Sequence, residues 1–152
     1  MKILMVCLGN ICRSPLAEGI LTKKANEKGL DWKIDSAGTA AYHVGNLPDE
    51  RSIEVAKKHR IDLTNQRARQ FSPSDFQVFD LIYAMDTENF ANILKLAPSE
   101  DDKQKVKLIL NELEPESNTS VPDPYYGGED GFEEVYHMLD LACEAVILKL
   151  KK

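Results

Sequence analysis

Cys7-Leu8-Gly9-Asn10-Ile11-Cys12-Arg13-Ser14 is an octapeptide that follows a short apolar run, Ile3 to Val6, and precedes Pro15 and an amphipathic segment. A short, bounded apolar run is typical of a buried parallel strand. Proline fits the first turn of a helix, Ser14 is a suitable cap, and apolar residues recur beyond it at helical spacing. The octapeptide is therefore predicted to be the loop of a strand–loop–helix junction.

The chemistry of this loop suits an oxyanion held in front of a thiolate. Unpaired backbone N–H groups and the helix dipole bind oxyanions at a helix N-terminus. Gly9 and Asn10 tolerate a tight turn, and the planar guanidinium of Arg13 matches two phosphate oxygens. The same field favours the thiolate of Cys7, and Ser14 can donate to the sulfur. These residues predict attack on phosphorus through a covalent intermediate, without a metal.

Other interpretations of the loop exist. Spacing alone would also allow a buried thiol at a strand end beside a surface arginine, but the flanking strand and helix argue against this. A nucleotide-binding loop of the Walker type is excluded, because the chain has no G-x4-G-K-[ST] motif.

A departing ester oxygen needs a proton, and Asp123 is the best candidate for the acid. Prolines on both sides restrict the backbone around it, and Gly127 and Gly128 follow as a hinge or turn. Tyr125 and Tyr126 are poor core residues on a loop and could wall a cleft for an aromatic substrate. Taken alone, Asp123 is better explained as an ordinary turn aspartate, since Asp-Pro is common in loops; its pairing with the thiolate loop reverses this preference in favour of the catalytic interpretation.

Four motifs carry a family resemblance over essentially the whole chain. They are C-x-G-N-I-C-R-S-P from Cys7 to Pro15, Asp35-Ser36-Ala37-Gly38, Ala68-Arg69-Gln70, and Asp123-Pro124-Tyr125. In these motifs the chain resembles the low-molecular-weight protein tyrosine phosphatases.

The resemblance implies a role for each matching residue. Cys7 would be the nucleophile, Arg13 the phosphate clamp, and Asp123 the general acid and later base. Ser14 would support the thiolate, and Asn10 and Ser36 would orient the loop. Tyr42 resembles the aromatic position that flanks the cleft in this family. With it, the predicted substrate contacts are Leu8, Gly9, Asn10, Ile11, Cys12, Ser14, Tyr42, Tyr125 and Tyr126. A reversible disulfide between Cys12 and Cys7 is also implied, although Cys12 is as well explained as a small residue packed under the loop.

The sequence departs from the family at one place. Before Ala68-Arg69-Gln70 the family often has a histidine that ties the phosphate loop to its surroundings, whereas this chain has Asn65-Gln66-Arg67. The hydrogen bonds there are expected to differ, but glutamine can also donate and accept.

Three alternative functions share the scaffold or the site. Arsenate reductases of this fold need further cysteines downstream, and only Cys143 follows the loop. Protein arginine phosphatases typically have threonine at the position of Ile11, and an apolar residue there is more compatible with phosphotyrosine. A phosphotyrosine-binding module without turnover would not need Cys7, Arg13 and Asp123 together. The predicted substrate is thus a phosphotyrosine protein or a small aryl phosphate.

Composition sets the wider expectations. A chain of 152 residues, 43% hydrophobic and 29% charged, suits one soluble domain over residues 1–152. The net charge of −6 disfavours nucleic acid and anionic membranes as partners. Residues 1–6 are too short for a secretory or membrane-spanning segment, and three cysteines suit a reducing compartment. A cytoplasmic location without cofactor or metal is therefore expected.

Strand-like and helix-like segments alternate along the chain. Strands are predicted at Ile3–Val6, Trp32–Asp35, Leu81–Ala84 and Val106–Leu110, and helices near Pro48, from Thr87 to Ala97 and from Gly131 onward. This order predicts an α/β fold: a four-stranded parallel sheet with helices on both faces and the phosphate-binding loop after the first strand. Trp32, Phe76, Phe79 and Cys143 are predicted to belong to the core.

Overall fold

A computed structural model describes residues 1–125 and 129–151 of the chain. In the described residues the strands are β1 (Lys2–Cys7), β2 (Lys33–Gly38), β3 (Leu81–Ala84) and β4 (Val106–Leu108). The helices are α1 (Arg13–Glu27), α2 (Glu50–Lys58), α3 (Asp75–Val78), α4 (Thr87–Lys95), α5 (Glu100–Lys103) and α6 (Glu129–Leu150), with a 3-10 helix at Ile109–Glu112. No helix within these ranges has the length and apolar character needed to cross a membrane.

The four strands form one parallel sheet in the order β2-β1-β3-β4. The sequence-based prediction of the fold is confirmed, although β2 continues three residues beyond the predicted Asp35, to Gly38. β4 ends at Leu108, because the apolar residues that follow it enter the 3-10 helix. The carboxyl end of β1 therefore lies in the middle of the sheet, where ligands bind in open parallel sheets.

Alternate residues of β1 face two separate cores. Ile3 and Met5 pack in a cluster with residues of α1, α2 and α6, whereas Leu4 and Val6 pack in a cluster with residues of α3 and α4. Helices therefore cover both faces, as strands with two buried faces require. The predicted core residues Phe76, Phe79 and Cys143 are buried, and Trp32 is partly buried against the first cluster.

Several helix boundaries differ from the predictions. Ser14 does not cap α1, because the helix already begins at Arg13 and the Ser14 hydroxyl is used in the loop. α2 begins at Glu50, where the side chain of Asp49 accepts a hydrogen bond from the N–H of Arg51. α4 ends two residues before Ala97, and α6 begins two residues before Gly131.

Candidate active site

The loop between β1 and α1 curls tightly above the end of β2. Asn10 has a φ angle of 58°, in the left-handed region that asparagine tolerates better than most residues. The loop passes directly over Gly38, where a Cβ atom would lie 2.7 Å from the carbonyl oxygen of Leu8 and 3.1 Å from the backbone nitrogen of Asn10. A side chain at position 38 would therefore displace the loop, and this close approach explains the glycine.

A chain of hydrogen bonds fixes the donor that faces the sulfur of Cys7. The backbone N–H of Arg69 donates to Oδ1 of Asn10 at 3.0 Å, so Nδ2 of Asn10 must be the donor to Ser14 at 2.8 Å and to Ser36 at 2.9 Å. Because the Ser14 hydroxyl accepts from Asn10, its own proton is available to Sγ of Cys7, 3.0 Å away. The backbone N–H of Asn10 also donates to this sulfur at 3.3 Å. The surroundings of Cys7, which is 2% exposed, therefore suit an anionic sulfur.

Glu18 ends this chain on the side away from Cys7. The Ser36 hydroxyl donates to Oε1 of Glu18 at 2.7 Å. Burial raises the pKa of Glu18 to about 7 and nearby Asp35 adds to the effect, against the opposing hydrogen bond from Ser36 and the charge of Arg69. Glu18 is thus a carboxyl group that changes its charge near neutral pH, beneath the loop.

Arg13 is buried, with 3% of its side chain exposed, and its orientation is fixed by two acceptors. Nη1 donates to Oδ2 of Asp86 at 2.7 Å and to the carbonyl oxygen of Val121 at 3.0 Å. Both hydrogens of Nη1 are therefore used, so the edge formed by Nε and Nη2 is the one suited to two phosphate oxygens. Nη2 lies 3.8 Å from Oδ2 of Asp123.

A cleft of about 320 Å³ opens above the loop. Its walls contain nine of the predicted site residues together with His43; they are Cys7, Leu8, Gly9, Ile11, Cys12, Arg13, Tyr42, Asp123 and Tyr125. The side chains of Asn10, Ser14 and Ser36 are instead joined to one another by the hydrogen bonds described above. Tyr126, Gly127 and Gly128 lie outside the described residues. In the ranges 1–125 and 129–151, no group of three histidine, cysteine or acidic side chains could hold a metal ion.

Tyrosines flank the mouth of the cleft, with Tyr42 76% exposed and Tyr125 38% exposed. His43 lies between them, its ring centroid 6.5 Å from that of each tyrosine. Its Cδ2 atom would lie 3.0 Å from a Cβ at Gly9, so His43 packs against the loop between β1 and α1. The mouth is therefore lined by aromatic side chains, which suit contact with an aromatic ring.

The cysteines at positions 7, 12 and 143 are all buried free thiols. Burial raises the pKa of Cys12, and the negative charges of Asp49, Cys7 and Asp123 raise it further. The thiol of Cys12 is therefore neutral at neutral pH.

Gln66 occupies the region where the family often has a histidine. Its Nε2 donates to the carbonyl oxygen of Pro15 at 3.1 Å. The amide therefore ties the segment before Ala68 to the first turn of α1, which supports the loop from below.

Sequence reasoning missed three residues of the site. Asp86 is a helix cap, as expected from its position before α4, because its Oδ1 accepts from the N–H of Asn89 at 2.7 Å. Its Oδ2 orients Arg13, and the sequence shows no sign of this second role. His43 was assigned no role, and Glu18 lies on a helix, where a glutamate is ordinary. The spacing of Ser14 and Glu18, four residues apart, could have indicated this role, because such residues lie on the same face of a helix.

The geometry brings a hydrogen-bonded cysteine, an arginine in a fixed orientation and an aspartate together in one cleft, an arrangement typical of enzymes that act on phosphate esters. A family model described as low molecular weight phosphotyrosine protein phosphatase matches residues 2–152. The chain belongs to this family.

Individual relatives and solved structures are similar to this chain over nearly its whole length. A putative low molecular weight protein-tyrosine-phosphatase from Synechocystis is 50% identical over 100% of this chain and 98% of its own length. A protein tyrosine phosphatase structure from Entamoeba histolytica, with Hepes in the active site, has a TM-score of 0.93 and 43% identity, covering 99% of this chain and 97% of that chain. A Drosophila arginine phosphatase structure has the same TM-score of 0.93, with 34% identity, and covers 100% of this chain and 99% of that chain.

Proposed function

We propose that this protein-tyrosine phosphatase hydrolyses phosphotyrosine and aryl phosphate monoesters through a phosphocysteine intermediate, without a metal. One observation carries the proposal: Cys7, Arg13 and Asp123 line the same cleft although they come from distant parts of the sequence. A thiolate, a bidentate phosphate clamp and a carboxyl group are the three functions that the reaction needs.

In the first step, the sulfur of Cys7 attacks phosphorus in line with the ester oxygen. The S–P bond forms as the P–O bond to the phenol breaks, and Asp123 gives its proton to the departing oxygen. Arg13 and the loop amides hold the three remaining phosphate oxygens, whose charge is spread in the transition state. The phenol leaves neutral, and Asp123 is left as a carboxylate.

In the second step, the Asp123 carboxylate takes a proton from water, and the water oxygen attacks phosphorus. The S–P bond breaks and Cys7 leaves as a thiolate. The Ser14 hydroxyl and the Asn10 N–H, at 3.0 Å and 3.3 Å from the sulfur, stabilise this leaving group. Inorganic phosphate is released, and Asp123 is protonated again.

The walls of the cleft favour an aromatic ester. Tyr42 and Tyr125 flank the mouth, and Ile11 lines the cleft with an apolar side chain. These contacts support phosphotyrosine over phosphoarginine, whose charged guanidino group would have to meet the same apolar surface. A phosphoprotein or a small aryl phosphate fits equally well.

The setting of the reaction is part of the proposal. Three buried free thiols support a reducing, cytoplasmic compartment. The net charge of −6 opposes nucleic acid and anionic membranes as partners, so the positive potential that binds phosphate is local to the loop.

The test is hydrolysis by the purified protein of three substrates: p-nitrophenyl phosphate, a phosphotyrosine peptide and a phosphoarginine peptide. Turnover of the first two, with phosphoarginine poorly cleaved, is expected. Cys7→Ser should abolish turnover, keep the thermal unfolding midpoint and still bind the phosphotyrosine peptide. Retained turnover in Cys7→Ser would refute the nucleophile, and preferential cleavage of phosphoarginine would refute the substrate class.

A further inference from the structure

Arg51, in the first turn of α2, is fixed relative to the phosphate loop. Nε donates to Oδ1 of Asp49 and Nη2 donates to Oδ2, each at 3.0 Å. The backbone N–H of Asp49 donates to the carbonyl oxygen of Ile11 at 2.8 Å, within the loop itself. Burial raises the pKa of Asp49, but the hydrogen bonds and charge of Arg51 outweigh it and hold that pKa below its ordinary value. The Asp49–Arg51 pair is therefore ionic at neutral pH and anchored to the loop.

The guanidinium of Arg51 also contacts two aromatic rings. Its Cζ atom lies 4.5 Å from the ring centroid of Phe132, which is buried on α6, and 5.5 Å from that of Tyr125. Both distances are within the range of an attractive cation–π contact. Arg51 thus joins the phosphate loop to the segment that carries Asp123.

Tyr125 is directly connected to the carboxyl group of Asp123. Its backbone N–H donates to Oδ1 of Asp123 at 3.0 Å, which leaves Oδ2 on the side of Arg13. At the other end of the segment, the N–H of Val121 donates to the carbonyl oxygen of Met85 at 2.7 Å, and the carbonyl oxygen of Val121 accepts from Arg13. Asp123 is therefore held between an upstream anchor at Val121 and a downstream anchor at Tyr125.

We propose that Arg51 is a positioning residue for the general acid: through the ring of Tyr125 it holds the Asp123 carboxyl group at the leaving-group oxygen. This inference rests on the proposed function, in which Asp123 donates the proton. Among the described residues, Tyr125 lines the cleft and contacts Arg51, so Tyr125 is the link through which Arg51 would act on Asp123.

The test uses the dependence of kcat/KM on the leaving group. Aryl phosphates whose phenols are acidic need little protonation, whereas phosphotyrosine needs the acid. Arg51→Gln should lower kcat/KM for phosphotyrosine about threefold to thirtyfold, the range that follows from loss of one cation–π contact, with a much smaller loss for p-nitrophenyl phosphate. Arg51→Lys keeps the cation and should restore part of the loss.

A matched pair of variants at Tyr125 separates positioning from folding. In the Tyr125→Phe background, which keeps the ring that Arg51 contacts, Arg51→Gln should still cause its leaving-group-dependent loss. In the Tyr125→Leu background, which lacks the ring, Arg51→Gln should cause no further loss. A purely structural role of Arg51 would instead lower the thermal unfolding midpoint and weaken competitive inhibition by inorganic phosphate, with an equal loss for all esters. That pattern in the variants would overturn the inference.

The double variant Arg51→Gln with Asp123→Asn gives the sharpest result. Once the acid has been removed, loss of Arg51 should cost nothing further for phosphotyrosine. Independent, multiplying losses would overturn the role of Arg51 while the proposed function stands. If Asp123→Asn alone lowers kcat/KM equally for all leaving groups, the proposed role of Asp123 is refuted, and this inference fails with it.

Discussion

Replacement of Glu18 by glutamine should make the protein more stable at alkaline pH and leave it nearly unchanged at acid pH. The pKa of this carboxyl group is raised from 4.5 to about 7 in the folded state, mainly by burial. The folded protein therefore binds the Glu18 proton more tightly than the unfolded chain does. In the wild type, the free energy of unfolding should decrease because of this group as the pH rises from 4.5 to 7, and should stay at the lower value above 7.

The size of the effect follows from the shift. One pKa unit corresponds to about 1.4 kcal/mol, so the ionised Glu18 costs the folded state about 3 kcal/mol at pH 8. Glutamine is neutral at every pH, and its carbonyl oxygen can still accept the hydrogen bond from Ser36. Glu18→Gln should therefore gain about 3 kcal/mol at pH 8, and close to nothing at pH 4.5, where the wild-type carboxyl group is protonated in the folded state.

Urea unfolding followed by the fluorescence of Trp32 measures this difference at pH 4.5, 6 and 8. Glu27→Gln is a matched control, because it removes the same charge from the same helix at an exposed position. The stability difference between Glu27→Gln and the wild type should not follow the Glu18 pattern. A Glu18→Gln effect of equal size at pH 4.5 and pH 8 would show that Glu18 is not held neutral by its surroundings.

Three further predictions concern the loop and the arginine. Asp86→Asn keeps a helix cap but loses the ionic partner of Arg13. In steady-state assays it should therefore lower kcat/KM, and raise the inhibition constant of inorganic phosphate, about tenfold to a hundredfold. Gly38→Ala places a Cβ against the loop backbone and should lower the free energy of unfolding in urea by about 1 to 3 kcal/mol. Gly131→Ala on α6, whose Cβ would lie 3.7 Å from that of Pro124, should not lower it. Asn10→Gly keeps the positive φ but loses three hydrogen bonds, so it should lower kcat/KM strongly. Asn10→Ala should be about 1 kcal/mol less stable than Asn10→Gly, because alanine is strained at a positive φ; equal stability of the two variants would contradict this argument.

The parts of the fold that could be predicted are those that a contiguous segment specifies. Each strand is a short apolar run, and the phosphate loop contains its own glycine, asparagine and arginine, so the pattern and its place after β1 are visible locally. The end of α1 that faces the loop was predicted less well. Serine is a common cap residue, but the hydroxyl of Ser14 accepts from Asn10 and faces the sulfur of Cys7, and the sequence does not show these partners.

The partners that orient the site could not be predicted, because folding brings them from far along the chain. Arg13 and Asp86 are separated by 73 residues, and Arg13 and Val121 by 108. Each partner also has a sufficient local explanation: Asp86 caps α4, and Val121 precedes a proline. A residue that serves two purposes shows only the local one in its sequence.

These long separations couple catalysis to completion of the whole sheet. Asn10 is oriented by the backbone of Arg69, 59 residues away, and Arg13 needs acceptors that follow β3 and β4 in the chain. A partly folded chain that has formed only β1, the loop and α1 would have the cysteine and the arginine but neither the fixed Nη1 edge nor the donor chain to the sulfur. Phosphate binding should therefore appear only with the last strands, and bound phosphate should stabilise the entire folded state and not the loop alone. Protection of amide hydrogens in both β1 and β4 on addition of phosphate is the result expected from this arrangement, and protection confined to the loop would contradict it.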